Sequence, residues 1–343
     1  MFSKIEDKAQ WKSLLNKALF RTFFHMLEWE DFLERELPWL KFERYIWRDE
    51  LLLSVARCRF LGSEKLVSHP LCEYGGPLPL KNQSDLAGFT QDFKSKFGEK
   101  ARIKFHPYLS EVRDCFPAYS QSISTFWIED FSKKTGDVLW RGLRKTLRLE
   151  IKKSYNAGVR VDECGGYDDL KQFYSIYITT VKRHKNIPLP FSVFKFFSGE
   201  EVAAKIFIAK HSGRVIGGSV FLFYPPFIHY FISASDYRLR GLNIGHAILW
   251  QAMQNYVGCR LCPSVAFGEG GTPHIYDYFD LGGTRKGSAL EVFKRGWGAK
   301  EYPIYEIGAE NAARKASFAR DLWGIIPLFV LKRISKPALW LKA

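Results

Sequence analysis

No secretory leader is visible in the sequence, and none is expected. Its first residues, MFSKIEDKAQWKSLL, are charged from Lys4 onward and contain no apolar core of the kind a signal peptide needs. A spanning segment is also missing. The apolar run Trp323–Leu331 (WGIIPLFVL) is nine residues long, against about 20 for a membrane helix. Cysteine is scarce: Cys58, Cys72, Cys115, Cys164, Cys259 and Cys262 are scattered, unlike a secreted disulfide framework. These absences predict a reducing, cytoplasmic location. Cys259-x-x-Cys262 stands alone, with His274 distant in sequence, and a structural zinc site wants four ligands. No metal site is therefore expected, and both cysteines read as packing residues. No convincing Ser-His-Asp or Cys-His succession is present to supply a covalent nucleophile.

The 343 residues suffice for two domains, each of about 150–170 residues and each able to bury a core of its own. Apolar residues make up 46% and charged residues 25%, ordinary for a globular protein. That composition excludes a disordered, collagen-like or multi-span membrane chain. Fifty-one Lys and Arg against 36 Asp and Glu leave a net charge of +15. Such a charge favours an anionic partner: nucleic acid, an acidic lipid surface or a phosphorylated substrate.

One pattern is written twice. Thr22 can cap a helix from Phe23 to about Leu37, which Pro38 closes. Phe42–Trp47 and Leu51–Phe60 read as a hairpin, Pro70–Pro79 as a loop, Ser84–Phe97 as a helix and Ile103–Tyr108 as a strand. The second copy has a helix over Asp168–Lys185 and strands at Ala204–Lys210, Val215–Phe223 and Phe227–Ser233. A helix over Asn243–Tyr256 and a strand at Tyr278–Leu281 complete it. Antiparallel strands feeding a helix and then another strand predict an α/β three-layer domain, present twice.

Between the copies, Gly136–Ser154 reads as one helix, with Leu143, Leu147 and Ile151 on one face. Arg141, Arg144, Lys145, Arg148 and Lys152 form a basic arc beside them, a candidate contact for phosphate. Arg144 and Arg148 are the preferred members, because a guanidinium fork matches phosphate geometry. The plainer alternative is a solvated helix face. Lys332, Arg333, Lys336 and Lys342 are interleaved with Ile334, Leu339, Trp340 and Leu341. This end either rests on an anionic membrane face or packs on the protein as a final helix.

The segment Trp140…Leu143-Arg144-Lys145…Arg148…Ile151-Lys152-Lys153…Ala157-Gly158-Val159 resembles FemAB-like proteins, aminoacyltransferases of the GNAT acyltransferase superfamily that build peptidoglycan cross-bridges. Thr22-Phe23-Phe24…Trp29, Tyr74-Gly75-Gly76 and Thr180…Lys182-Arg183 agree with it. So do Phe279-Asp280-Leu281-Gly282-Gly283 and Phe293-Lys294-Arg295-Gly296-Trp297-Gly298. The resemblance covers roughly residues 15–310 and rests on the order of the segments. It implies two tandem GNAT-like domains, each a mixed, mostly antiparallel sheet flanked by helices. The expected limits are 1–135 for the N-terminal domain, 136–310 for the C-terminal acyltransferase domain and 311–343 for the basic, apolar tail.

The resemblance implies transfer of an acyl or aminoacyl group to an amine, with acyl-CoA or aminoacyl-tRNA as co-substrate and no bound cofactor. The acceptor would be a lipid- or nucleotide-linked precursor of peptidoglycan or polysaccharide, met in the cytoplasm at the inner face of the plasma membrane. The long two-helix arm that bridge-forming members use for tRNA is absent. The stretch Pro190-Phe191…Val193-Phe194…Phe196-Phe197 is apolar where muropeptide-binding members present Arg and Tyr.

Transfer to an amine needs a deprotonated nitrogen, a stabilised oxyanion and a protonated leaving group. Lys294 is the expected charge stabiliser, or else a surface lysine anchoring a loop. Asp280 is expected either to position the amine or act as base, or simply to cap the Gly282-Gly283 turn. Arg238-x-x-Gly241-x-Asn243 resembles the coenzyme A loop of GNAT enzymes, with Asn243 in place of the last small residue. Its backbone N–H groups would hold pyrophosphate, with Arg240 and Asn243 as donor contacts. His229 and His246 have the chemistry of a general base, although a core role suits either. Gly268–Pro273 reads as a lid or a surface loop. The rival from another class is a non-catalytic protein that binds RNA or membrane through the basic surface.

Overall fold

Strand β1 (Phe2–Ile5) opens the chain and lies antiparallel to β2, pairing Phe2 with Trp47 and Ile5 with Arg44. The computed structural model describes residues 1–81, 84–98, 101–109, 123–258, 275–308 and 328–341. The chain divides into two compact units. Unit 1 comprises Met1–Thr125, Tyr302–Arg320 and Lys336–Ala343; unit 2 comprises Phe126–Glu301 and Asp321–Ser335.

In unit 1, α1 (Lys8–Lys17) is capped by Asp7, whose carboxylate accepts from the Ala9 and Gln10 N–H groups. The helix expected over 23–37 divides in two. Phe23–His25 form one 3-10 turn capped reciprocally by Thr22 and His25, Met26 is extended, and α2 runs Leu27–Glu36. Next come β2 (Leu40–Trp47), β3 (Leu51–Phe60), β4 (Ser63–Val67) and β5 (Leu78–Pro79). The sheet order is β1-β2-β3-β4, with β5 also on β3. Helix α3 (Leu86–Phe97) covers the sheet and buries Phe89 and Phe93 with Phe2, Trp47, Leu53 and Phe105. Strand β6 is only Ile103–Lys104, paired with Ile307 and Glu306; Pro107 has no N–H with which to prolong it to Tyr108.

The Tyr74-Gly75-Gly76 segment packs too closely for side chains. A Cβ on Gly75 would lie 2.3 Å from His69 Cβ, and one on Gly76 would lie 2.4 Å from the Lys104 carbonyl oxygen. Under the sheet, the fully buried Glu30 accepts from Ser54 Oγ (2.6 Å) and Arg44 Nε (2.7 Å) and lies 3.1 Å from His69 Nε2. His25 is stacked edge-on to His69 at 5.0 Å between ring centres. Cys58 and Cys72 are buried, and burial pushes both thiols up to about 12.

Unit 2 is built on β7 (Ile123–Ile128), β8 (Arg160–Glu163), β9 (Ala204–His211), β10 (Arg214–Tyr224), β11 (Phe227–Ser235), β12 (Tyr278–Arg285) and β13 (Lys300–Pro303). Their spatial order is β13-β7-β12-β11-β10-β9-β8. The β8–β11 ladder is antiparallel, while β11 and β12 run parallel. Its helices are α4 (Gly136–Gly142), α5 (Lys145–Asn156), α6 (Tyr167–Arg183), α7 (Phe191–Phe197), α8 (Ile244–Tyr256) and α9 (Ala289–Arg295). The helix expected over 136–154 is therefore two. Leu143 and Arg144 are extended, because the Arg144 N–H donates to the Gly296 carbonyl (3.1 Å) rather than along a helix. Leu143, Leu147 and Ile151 are buried as expected, but Arg141 lies on α4, apart from the rest of the basic arc.

Helix α10 (Leu328–Ala338) carries the end of the chain back to unit 1. Lys336 pairs with Glu36 (2.6 Å), Leu339 is fully buried, and the Trp340 ring lies under the Lys65 ammonium at 4.0 Å. Of the two expectations for this end, packing on the protein is the one that Lys336, Leu339 and Trp340 meet. Lys342 lies outside the described residues. No described helix is long and apolar enough to cross a membrane.

Gly76→Ala is expected to lower unfolding free energy by about 1–3 kcal/mol through overpacking, read in urea titrations. Burial, reinforced by the His69 and His106 rings, holds His25 well below the ordinary histidine range. Below about pH 6.5 the unfolded chain takes up a proton that the folded chain refuses, so stability falls as pH falls. Thermal midpoints are expected to drop between about pH 7.5 and about pH 5, and less steeply in His25→Gln.

Candidate functional site

Strands β11 and β12 pair over three positions only: Phe227 with Tyr278, Ile228 with Phe279 and His229 with Asp280. Beyond His229 and Asp280 each strand continues without the other. On its opposite side β11 is irregular against β10, where the register shifts and leaves Phe231 as an extra residue. Bulges of this kind add twist and re-aim side chains. The two parallel strands therefore open a wedge at their carboxyl ends, the place where ligands enter open α/β sheets.

The edges of the wedge are held by side chains. Asp280 is fully buried; Oδ2 lies 2.7 Å from His229 Nδ1, and Oδ1 accepts the Gly282 N–H at 2.8 Å. Gly282 has φ +77°, a left-handed conformation that glycine adopts without strain. Lys294, 2% exposed, donates to the Gly282 carbonyl at 2.6 Å and to the Gly283 carbonyl at 2.9 Å. The sequence-predicted Lys294, Asp280, Gly282 and Gly283 thus form one cluster. In it Lys294 grips the β12 backbone, and Asp280 both caps the Gly282 turn and binds a histidine.

From the far end of β11 the chain turns through Tyr237–Leu242 into α8. Asn243 occupies the left-handed region (φ +51°, ψ +42°). The departure from a small residue here has a physical reason, since asparagine is among the few side chains that tolerate this conformation. A Cβ built on Gly241 or Gly245 would meet nothing within 4 Å, so the turn and the first turn of α8 face open space. Helix N-termini present unpaired N–H groups and partial positive charge.

Basic groups surround this turn. Thr180 Oγ1 donates to the Ser235 carbonyl (3.4 Å), fixing the end of α6 on the end of β11. Three residues later on the same helix face, Arg183 stacks on the exposed Tyr237 ring at 4.0 Å, and Arg240 stacks on it at 4.7 Å. Glu150 of α5 lies 3.5 Å from His246 Nε2 in the first turn of α8. Burial lowers the His246 pKa, with Glu150 opposing and the Arg144 charge assisting. The Arg144 guanidinium lies beside Gly296, and Arg148 lies one turn further along α5. Cys115, Cys259, Cys262, His274 and the Gly268–Pro273 loop lie outside the described residues.

The His229–Asp280 pair and the Arg183–Tyr237–Arg240 stack bring together residues far apart in sequence, and only strand register reveals them. A histidine among the apolar residues of β11 is the one visible signal.

Residues 141–279 match the family model of the acetyltransferase (GNAT) domain. No curated protein matches the sequence. Among solved structures, the chain is similar to FemX, with 12% identity, TM-score 0.60, and coverage of 92% of this chain and 100% of that one. It is also similar to the C-terminal domain of a putative lysylphosphatidylglycerol synthetase from Agrobacterium fabrum (11% identity, TM-score 0.51, 93% and 98% covered). A tandem GNAT protein from the clavulanic acid biosynthesis pathway has 10% identity, TM-score 0.50, and 89% and 97% covered. These likenesses show a fold shared with FemX and with the tandem GNAT protein, a mixed α/β architecture with mostly antiparallel sheets.

Asn243→Gly is expected to leave thermal stability unchanged, whereas Asn243→Val should cost about 1–2 kcal/mol, because a β-branched residue resists the left-handed region. Urea unfolding of the two variants provides the comparison.

Proposed function

We propose that this protein transfers an acyl or aminoacyl group from acyl-CoA or aminoacyl-tRNA to an amine of a peptidoglycan or polysaccharide precursor. The observation that carries this reading is the wedge between β11 and β12 with the open, cationic turn beside it. Both donors join an activated carbonyl to a phosphate-bearing adenosine end. The start of α8, with Arg240 on the turn before it, suits the phosphates. The wedge suits the carbonyl. The net charge of +15 suits a lipid- or nucleotide-linked acceptor, which is itself an anion. The family-model match and the likeness to FemX support acyl transfer over other uses of such a wedge.

In this reading the amine attacks directly and no acyl-enzyme forms. Lys294 holds the Gly282–Gly283 backbone in place and sets a fixed positive charge beside the wedge, where charge on the carbonyl oxygen develops. Arg144 and Arg148 extend the phosphate site along α5. Encounter with a membrane-bound precursor at the cytoplasmic face then depends on the basic surface, since the Lys336–Trp340 segment is already packed.

The test is turnover. Protein given radiolabelled acetyl-CoA, or a radiolabelled aminoacyl-tRNA pool, together with envelope precursor extract should yield a labelled amide. Lys294→Met should lower that rate about 10–100-fold while donor binding persists. If neither donor is consumed, yet RNA or anionic vesicles bind with strong salt dependence, the protein is a binding module instead.

A further inference from the structure

His229 is the last residue of β11 to pair with β12, so its ring stands where the wedge begins. It is 5% exposed, with its ring centre 6.0 Å from that of Phe231, which in turn packs edge-on against Phe197 of α7. The apolar Pro190–Phe197 stretch thus contributes Phe197 to an apolar wall near this histidine. The sheet itself needs no polar group here, since Phe227 and Ile228 fill the neighbouring positions as buried apolar residues. Burying an ionisable pair carries a desolvation cost that an apolar residue would avoid.

The pair is also oriented. A carboxylate only accepts hydrogen bonds, so Asp280 Oδ2 at 2.7 Å holds a ring proton on Nδ1; in the neutral ring the basic nitrogen is then Nε2. The Gly282 N–H anchors the other oxygen of Asp280, and Lys294 anchors the Gly282 carbonyl. The ring is therefore fixed through β12, the opposite wall of the wedge.

We propose that His229 is the proton acceptor and donor of the transfer reaction, with Asp280 as its positioning residue. This deepens the acyl-transfer reading and rests on it. The amine nitrogen attacks the donor carbonyl carbon; the C–N bond forms and the carbonyl π pair moves to oxygen. Nε2 removes a proton from the positively charged nitrogen of the adduct. The oxyanion pair then re-forms the carbonyl, the bond to the leaving sulfur or ribose oxygen breaks, and that atom takes the proton from Nε2. An amide and a free thiol or hydroxyl result, and the imidazole returns to neutral. Asp280 stabilises the transient imidazolium without being protonated.

The experiment uses the full chain with His229→Gln, which keeps an N–H for Asp280 but cannot carry the proton, and Asp280→Asn. Rates are measured with radiolabelled acetyl-CoA and with a radiolabelled aminoacyl-tRNA pool, envelope extract supplying the amine; donor binding is measured separately. H229Q is expected to lower kcat about 10²–10⁴-fold, with donor binding within about threefold of wild type. D280N is expected to lower kcat less, and long-range ¹H–¹⁵N spectra should show the His229 Nδ1 proton in wild type and its loss or displacement in D280N. Wild-type turnover with H229Q within about threefold overturns the proposal and leaves the acyl-transfer reading standing. Consumption of neither donor by wild type overturns that reading, and this proposal with it. Should H229Q fail to fold by near-ultraviolet circular dichroism, the wild-type spectrum decides: a proton on Nδ1 supports the proposal, and one on Nε2 overturns it.

Discussion

Unit 2 depends on two parallel strands staying paired as far as one residue and then staying apart. Strands that part leave backbone groups without ladder partners, and buried backbone groups must find others. Here the Lys294 ammonium takes the carbonyls of Gly282 and Gly283, and Asp280 takes the Gly282 N–H. The side chains that secure the opening lie at its edge, so the same residues that keep the sheet stable also give the wedge its charge. A lysine buried to this degree is tolerated because both carbonyls receive its protons.

The rest of unit 2 fixes where the wedge points. Thr180 docks α6 on the end of β11, Arg144 leaves its helix to bond Gly296, and Asn243 turns the chain into α8 through a left-handed residue. Each of these departs from regular secondary structure within reach of the opening. Local departures of this kind concentrate where a scaffold is fitted to a ligand. Unit 1 holds a different kind of buried chemistry. Glu30, Arg44, Ser54 and His69 form a polar network that ties α2 to β2 and β3 and to the loop that follows β4.

Much of this architecture is legible in the sequence. The strands of unit 2 stand out because β-branched and aromatic runs are bounded by His211–Arg214 and Pro225-Pro226, and α6 and α8 because their apolar spacing is helical. The breaks at Met26 and Leu143 are not legible, since local propensity favours helix there and a tertiary bond, as at Gly296, decides otherwise. The first strand and helix escape a reading of the sequence because MFSKI is too short to signal pairing with a strand about 40 residues away. At the site, the Phe279–Gly283 and Phe293–Gly298 segments mark Asp280 and Lys294. What each contacts is hidden, because the contact of His229 with Asp280 spans 51 positions and depends on register. The grip of Lys294 on two carbonyls has no sequence signature at all. The tail leaves two readings open, because its basic and apolar alternation suits a membrane face as well as a packed helix, and its partners Lys65, Glu36 and Cys58 lie too far away in sequence to be legible.

The central claim is that the parting of β11 and β12 is a donor site. Hydrogen–deuterium exchange with coenzyme A, and separately with uncharged tRNA, tests it without requiring the acceptor. The account predicts that one of the two slows exchange at Phe231–Ala247 and at Gly282–Gly283. Protection confined to unit 1, or none with either molecule at saturating concentration, would contradict it.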